Sequence, residues 1–127
     1  MKVVDHPKYN MTIYKDKKEV HVQIHGFIKD YLVEQYLTDL QQTVAQVPSN
    51  QYTFVVDATY QSPLPSKVSA SLGETIMFYV SLGFRDIIII NPKSKISSVQ
   101  VRNALETIPF PGRVVNHASE TTLRWMF

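Results

Sequence analysis

The 127-residue chain has the length of one domain, and its 44% apolar and 19% charged residues suit a folded globule and exclude a disordered or low-complexity chain. It contains no cysteine, so disulfides, thiolate nucleophiles and zinc–thiolate sites are excluded together. The formal net charge is +2, with the lysines and arginines spread from Lys2 to Arg124, which carries no electrostatic signature of nucleic-acid binding.

No apolar run reaches the roughly 18 residues of a transmembrane helix, and MKVVDHPKYN lacks the apolar core of a signal peptide. The expectation is a cytoplasmic domain spanning 1–127, with no membrane or nucleic-acid partner and with residues 1–8 as a mobile arm. Tyr9 to Tyr14 and Glu19 to Ile28 are predicted strands joined by the polar turn KDKK. In the second, Val20, Val22 and Ile24 share a core face, and His21, Gln23 and His25 share a wetter one. Asp30 is the expected N-cap of a helix whose inward stripe is Val33, Tyr36, Leu37, Leu40, Val44 and Val47, ended by Pro48-Ser49-Asn50.

Tyr52 to Asp57 is a β-branched and aromatic run that suits a central strand covered on both sides. A second helix is predicted from Ser66, with Val68, Leu72, Ile76, Tyr79 and Val80 inward and Gly83 as its left-handed stop. Asp86 to Ile90, DIIII, is the most apolar strand and ends at Asn91-Pro92. Ser97 or Ser98 is the expected cap of a third helix carrying Val101, Ala104, Leu105 and Ile108. The turn PFPG leads to a strand from Arg113 to His117, and Ser119 caps a final short helix with Leu123 and Met126. The predicted order, ββαβαβαβα, describes an α/β domain with a mixed sheet, parallel wherever a helix makes the crossover.

That order, with VVD closing the third strand, DIIIINP in the fourth and a final strand before a short helix, resembles the STAS fold of anti-sigma-factor antagonists and their SpoIIAA-like relatives. The resemblance covers the chain from Tyr9 onward. It implies a serine phosphorylated by a partner kinase at a helix start with the pattern D-S-S/T-G, nine positions after the strand aspartate; nine from Asp57 stands Ser66. Around Ser66 the pattern departs: Pro65 replaces the aspartate, Lys67 the second serine or threonine, and Val68 the glycine. The lost carboxylate and glycine remove kinase-recognition charge and close backbone approach, so the implied switch is degenerate. Read from its own chemistry, Ser66 is an N-cap.

No metal box, nucleotide-binding glycine loop, nucleophile elbow or triad pattern is present, so no cofactor, metal or catalytic residue is assigned. His21 and His25 lie about 13 Å apart along a strand and cannot share an ion. Gly73, inside a predicted helix, points to close approach by a neighbour. Tyr31, Tyr60, Tyr79, Trp125 and Phe127 either form a surface for a partner or a homodimer, or cover helix–sheet junctions.

Two binding functions remain open, and an enzyme on the same strand-end cleft is a third reading that needs two titratable groups within hydrogen-bond reach of one reacting centre. The first, implied by the resemblance, is a non-catalytic regulatory domain that meets a regulatory protein through Ser62, Ser66, Lys67 and Ser69 with the second helix. The second is a small-molecule or lipid-like binder using a cleft at the strand carboxyl ends, where Asp57, Thr59, Asn91, Lys93 and His117 gather, or where those groups are merely solvated. An apolar cavity under the second and third helices favours the ligand reading; a filled, convex surface favours the partner.

Overall fold

The computed structural model describes residues 1–116. Its elements are strands β1 (Lys2–His6), β2 (Tyr9–Tyr14) and β3 (Glu19–Gly26), helix α1 (Asp30–Val44), a 3-10 turn (Ser49–Gln51), strand β4 (Thr53–Gln61), helices α2 (Ser66–Ser69) and α3 (Leu72–Ser81), strand β5 (Asp86–Ile90), helix α4 (Lys95–Glu106) and strand β6 (Arg113–Val115). The expected final helix after Ser119, together with His117, Trp125 and Phe127, lies outside the described residues.

Among the described residues the strands form one mixed sheet in sequential order β1 to β6. The first three pair antiparallel, and β3, β4, β5 and β6 run parallel. Every parallel crossover therefore steps one strand along in the same direction, and right-handed crossovers then put every connecting helix on one face of the sheet. The packing agrees: Met11, Val22, Phe54 and Ile89 from alternate strand positions join Leu40, Tyr36, Ile76 and Val101 from the helices in one core. Because side chains alternate, the other face receives Asn10, Gln23, His25, Asp57 and Thr59, beside a small apolar cluster of Val55, Ile88, Ile90 and Val115.

Several expectations are corrected. Residues 1–8 are not a free arm: Lys2–His6 pairs antiparallel with β2, Val3 and Val4 pack on the core, and the terminal ammonium donates to the Ile13 carbonyl at 2.7 Å. Two adjacent valines supply strand propensity, and Pro7-Lys8 supply the turn. Strand β4 does not stop at Asp57 but continues to Gln61, because pairing with β3 carries it on through His25↔Tyr60 and Gly26↔Gln61. An aspartate on a solvated sheet face does not interrupt a ladder.

The caps also move. Asp30 is the first residue of α1, preceded by Lys29, and makes no capping bond; its charge still favours the positive end of the helix. The buried line of α1 is Leu32, Tyr36, Leu40 and Thr43, while Val33 stays exposed. The second predicted helix is broken at Ala70-Ser71, where the Ser71 hydroxyl donates to the Val68 carbonyl. Ser66 is the first residue of α2, follows Pro65, and does not cap it through its side chain. Helix α4 is capped by Ser94, whose hydroxyl oxygen accepts from the Ser97 amide at 3.3 Å. Gly83, just past α3, has the expected left-handed backbone, with φ +79°.

Candidate functional site

The sheet and helices do not close completely. A cavity of about 540 Å³ lies on the helix face between the carboxyl halves of β3 and β4, the loop Phe27–Ile28, and helices α1, α2 and α3. Its floor is Ile24, Val56, Ala58 and Ile89, and its walls include Leu37, Leu64, Val68, Leu72 and Ile76. The volume falls in the ordinary range of small-molecule sites, roughly 300–1,000 Å³. Asp30, Lys67, Ser71, Glu74 and Thr75 stand at its rim and are exposed.

The frame of the opening is held by α4 and β3. The Gln100 side chain clamps the backbone of Leu64 from both sides, accepting from its amide at 2.9 Å and donating to its carbonyl at 2.8 Å. The buried Ser97 hydroxyl donates to the Gln61 carbonyl at 3.2 Å, and the Ser62 amide donates to Gly26 at 2.8 Å. These bonds fix the backbone from Gln61 to Leu64 at the edge of the cavity and satisfy its polar groups.

Two polar features interrupt the apolar lining. The Gln61 amide nitrogen is buried and has no hydrogen-bond partner among the described residues. The hydroxyls of Tyr36 on α1 and Tyr79 on α3 meet at 2.6 Å. Burial pushes the Tyr79 hydroxyl up to about 12, and burial with the neighbouring Tyr79 and Tyr9 rings pushes Tyr36 well above the ordinary tyrosine value. Both are neutral donors and acceptors at any physiological pH.

The opposite face carries a hydrogen-bonded polar row. Gln23 accepts from Asn10 at 3.3 Å and donates to Asp57 at 3.0 Å, and its amide oxygen lies 3.0 Å from His25 Nε2. The second oxygen of Asp57 accepts from the Thr59 amide at 3.0 Å and from the Thr59 hydroxyl. His25 stacks on Tyr60 with ring centroids 5.5 Å apart, and the Lys93 ammonium lies 5.4 Å from that same ring.

The predicted cleft residues are thus divided. Asp57 and Thr59 are bonded to one another on the sheet face opposite the described helices. Lys93 joins them through its amide on the Thr59 carbonyl and through Tyr60. Asn91 turns toward the next strand and donates to Asn116 at 2.9 Å; His117 lies outside the described residues. On the other surface, Ser62, Ser66 and Lys67 are exposed and Ser69 is half-buried, with its hydroxyl donating to the Ser66 carbonyl. Tyr31 and Tyr60 are exposed, whereas Tyr79 is buried and takes part in no surface. His21 bonds Glu19 at 2.8 Å, separate from His25.

Gln61, Gln100, the bond of Tyr36 to Tyr79 and the role of Gln23 escape a sequence reading. Gln61 and Gln100 belong to elements brought together only by the sheet. One signal was available: Gln61 stands two residues before Pro63, where a polar side chain at a strand end borders whatever the Pro63–Pro65 turn encloses.

Among the described residues no helix is long and apolar enough to cross a membrane, and no group of three or more His, Asp or Glu side chains is arranged to hold a metal ion. No protein-family model matches the chain, and no curated protein matches it significantly.

Proposed function

We propose that this chain is a STAS-like domain that works by binding, and that its helix-side cavity receives a small, mainly apolar molecule. The observation that carries this reading is the cavity of about 540 Å³, bordered by β3, β4, α1, α2 and α3, with Leu64 in its wall fixed by the Gln100 clamp. A domain with nothing to bind gains by collapsing such a space, since each unfilled volume forfeits packing energy. Support for the STAS-like reading comes from alternating strands and helices on a sequentially ordered sheet, and from a serine at the start of a short helix after β4.

The regulatory reading has one observation in its favour. Helix α2, with Ser66 and Lys67 exposed, is at once the outer surface and, through Lys67 and Val68, a wall of the cavity. A partner that meets α2 would sense the occupant.

The test is fluorescence of Nile red, an uncharged polarity-sensitive dye, with the wild-type protein and with Ala58→Leu, which fills the floor. Enhancement that saturates with wild type and is lost in a folded Ala58→Leu variant is the expected result. No enhancement with wild type, or equal enhancement with both, removes the reading.

A further inference from the structure

We infer that residues 117–127 close over the apolar cluster of Val55, Ile88, Ile90 and Val115, on the sheet face opposite the described helices, and bury it with Leu123, Trp125, Met126 and Phe127. The cluster needs a cover that the described residues do not supply. Val55 and Ile88 are 0% exposed and Ile90 is 1% exposed, yet among the described residues the apolar side chain packed against them is Val115, itself only half-buried.

Their neighbours in the sheet cannot bury them. His21 and Ile88 flank Val55, Val55 and Arg113 flank Ile88, and Asp57 and Val115 flank Ile90. Side chains of a sheet stand roughly perpendicular to it, so these shield the sides of the cluster and leave its top open. On the same face His21, Gln23 and Asp57 stay half-buried. The step from half-buried to fully buried within one face outlines something lying on it.

The cover belongs to the chain itself, because the burial is complete within a single copy. Elimination leaves the residues after Asn116. The described chain also ends at the patch: Val115 pairs with Ile90, its carbonyl accepts from the Asn91 amide at 2.8 Å, and the Asn116 side chain accepts from Asn91 at 2.9 Å.

The length fits. Residues 117–119 reach about 10 Å when extended, which is the spacing between packed layers. Residues 120–127, as the helix that Ser119 is expected to cap, would run about 12 Å. The row to be covered, from Ile90 back to the level of the fully buried Thr53, is about 13 Å long. Leu123, Met126 and Phe127 fall at i, i+3 and i+4, which gives such a helix one apolar stripe to lay on that row. The polar row of Gln23, His25 and Asp57 remains beside the cover.

Nuclear Overhauser contacts in the full-length protein test the inference without any substitution. Methyl protons of Ile88 and Ile90 are expected to contact ring protons of Trp125 or Phe127, and a mixture of labelled and unlabelled chains should show no such contact between copies. In a Leu123→Ser, Phe127→Ser double variant the methyl resonances of Val55, Ile88 and Ile90 should shift, while those of Ile76, in the core on the other face, hold still. Lack of any contact between Ile88 or Ile90 and residues 117–127 would overturn the inference. Contacts found only between copies would also overturn it and assign the patch to a dimer. Unmoved Val55, Ile88 and Ile90 methyls in the folded double variant would count equally against it; if that variant does not fold, the wild-type contacts decide. The cavity lies on the other face, so none of these results bears on its role.

Discussion

Tyr36 and Tyr79 join α1 to α3 through a single hydrogen bond of 2.6 Å between their hydroxyls. The bond sits beneath a cavity and among rings: Tyr9 meets Tyr36 edge-on at 5.0 Å, and Phe54 meets Tyr79 edge-on at 5.3 Å. It fixes the separation of the two helices that wall the cavity, so its state bears on stability and binding together.

The pair makes stability depend on alkaline pH. Burial raises both hydroxyls, Tyr79 to about 12, above the value of about 10 for an unfolded tyrosine. The unfolded chain therefore loses these protons first. The stabilisation is complete below about pH 10 and is lost as the pH rises through about 12. Urea midpoints measured across that window should fall for the wild type and fall less for the Tyr36→Phe, Tyr79→Phe double variant; parallel falls would show that the pair is not responsible.

Two glycines should respond in opposite directions to alanine. At Gly112 a Cβ would lie 2.2 Å from the Ile87 carbonyl oxygen, so the turn into β6 cannot accept it without moving backbone. The expected loss is roughly 3 kcal/mol or more. At Gly73 a Cβ would meet Ile108 and Thr107, just past the end of α4, at 3.5 Å, which is ordinary contact. Gly73→Ala should leave stability unchanged or raise it by about 0.5–1 kcal/mol, through helix propensity. Thermal melts of the two variants check both signs.

Ser94 and Ser66 both begin helices, and only Ser94 caps one. Ser94→Ala should cost about 1 kcal/mol in denaturant unfolding, and Ser66→Ala a few tenths at most. A comparable loss at Ser66 would return it to the role of a structural cap.

Asp57 tests whether the polar row on the open face holds the sheet. Its carboxylate accepts from Gln23 Nε2, from the Thr59 amide and from the Thr59 hydroxyl. Asp57→Asn replaces one accepting oxygen with a donor facing another donor, at an expected cost of about 1–3 kcal/mol. An unchanged unfolding midpoint would mean that these bonds exist without supporting the fold.

Much of the architecture was legible locally. Tyr9 to Tyr14 and Asp86 to Ile90 form the predicted strands to the residue, and Gly83 stops α3 as expected, because alternation in the first, a continuous β-branched run in the second and a left-handed stop are each written in neighbouring positions. The alternation of Val20, Val22 and Ile24 against His21, Gln23 and His25 likewise separates the covered face from the open one. Boundaries were less legible. β4 outruns Asp57 because β3 continues beside it, and a partner strand leaves no mark in FVVDATYQ itself.

The candidate site was legible only in part. Asp57 and Thr59 were visible as chemistry-bearing residues, but once β4 extends past them, the pleat turns both away from the helices. The cavity escaped because it belongs to no segment: Ala58, Leu37, Val68 and Ile76 each look like ordinary core when taken singly.

The sequence by itself determined an α/β chain with a central apolar strand, a polar and an apolar face to its sheet, and breaks at Gly83 and the proline turns, since these follow from spacing along a few residues. Only the tertiary structure decided that Tyr36 meets Tyr79, that Gln100 holds Leu64, and that Gln61 is left with a donor and no acceptor. Those facts join positions 36 to 43 residues apart. Whether a buried polar group is satisfied depends on what surrounds it in space, and local periodicity carries no record of that.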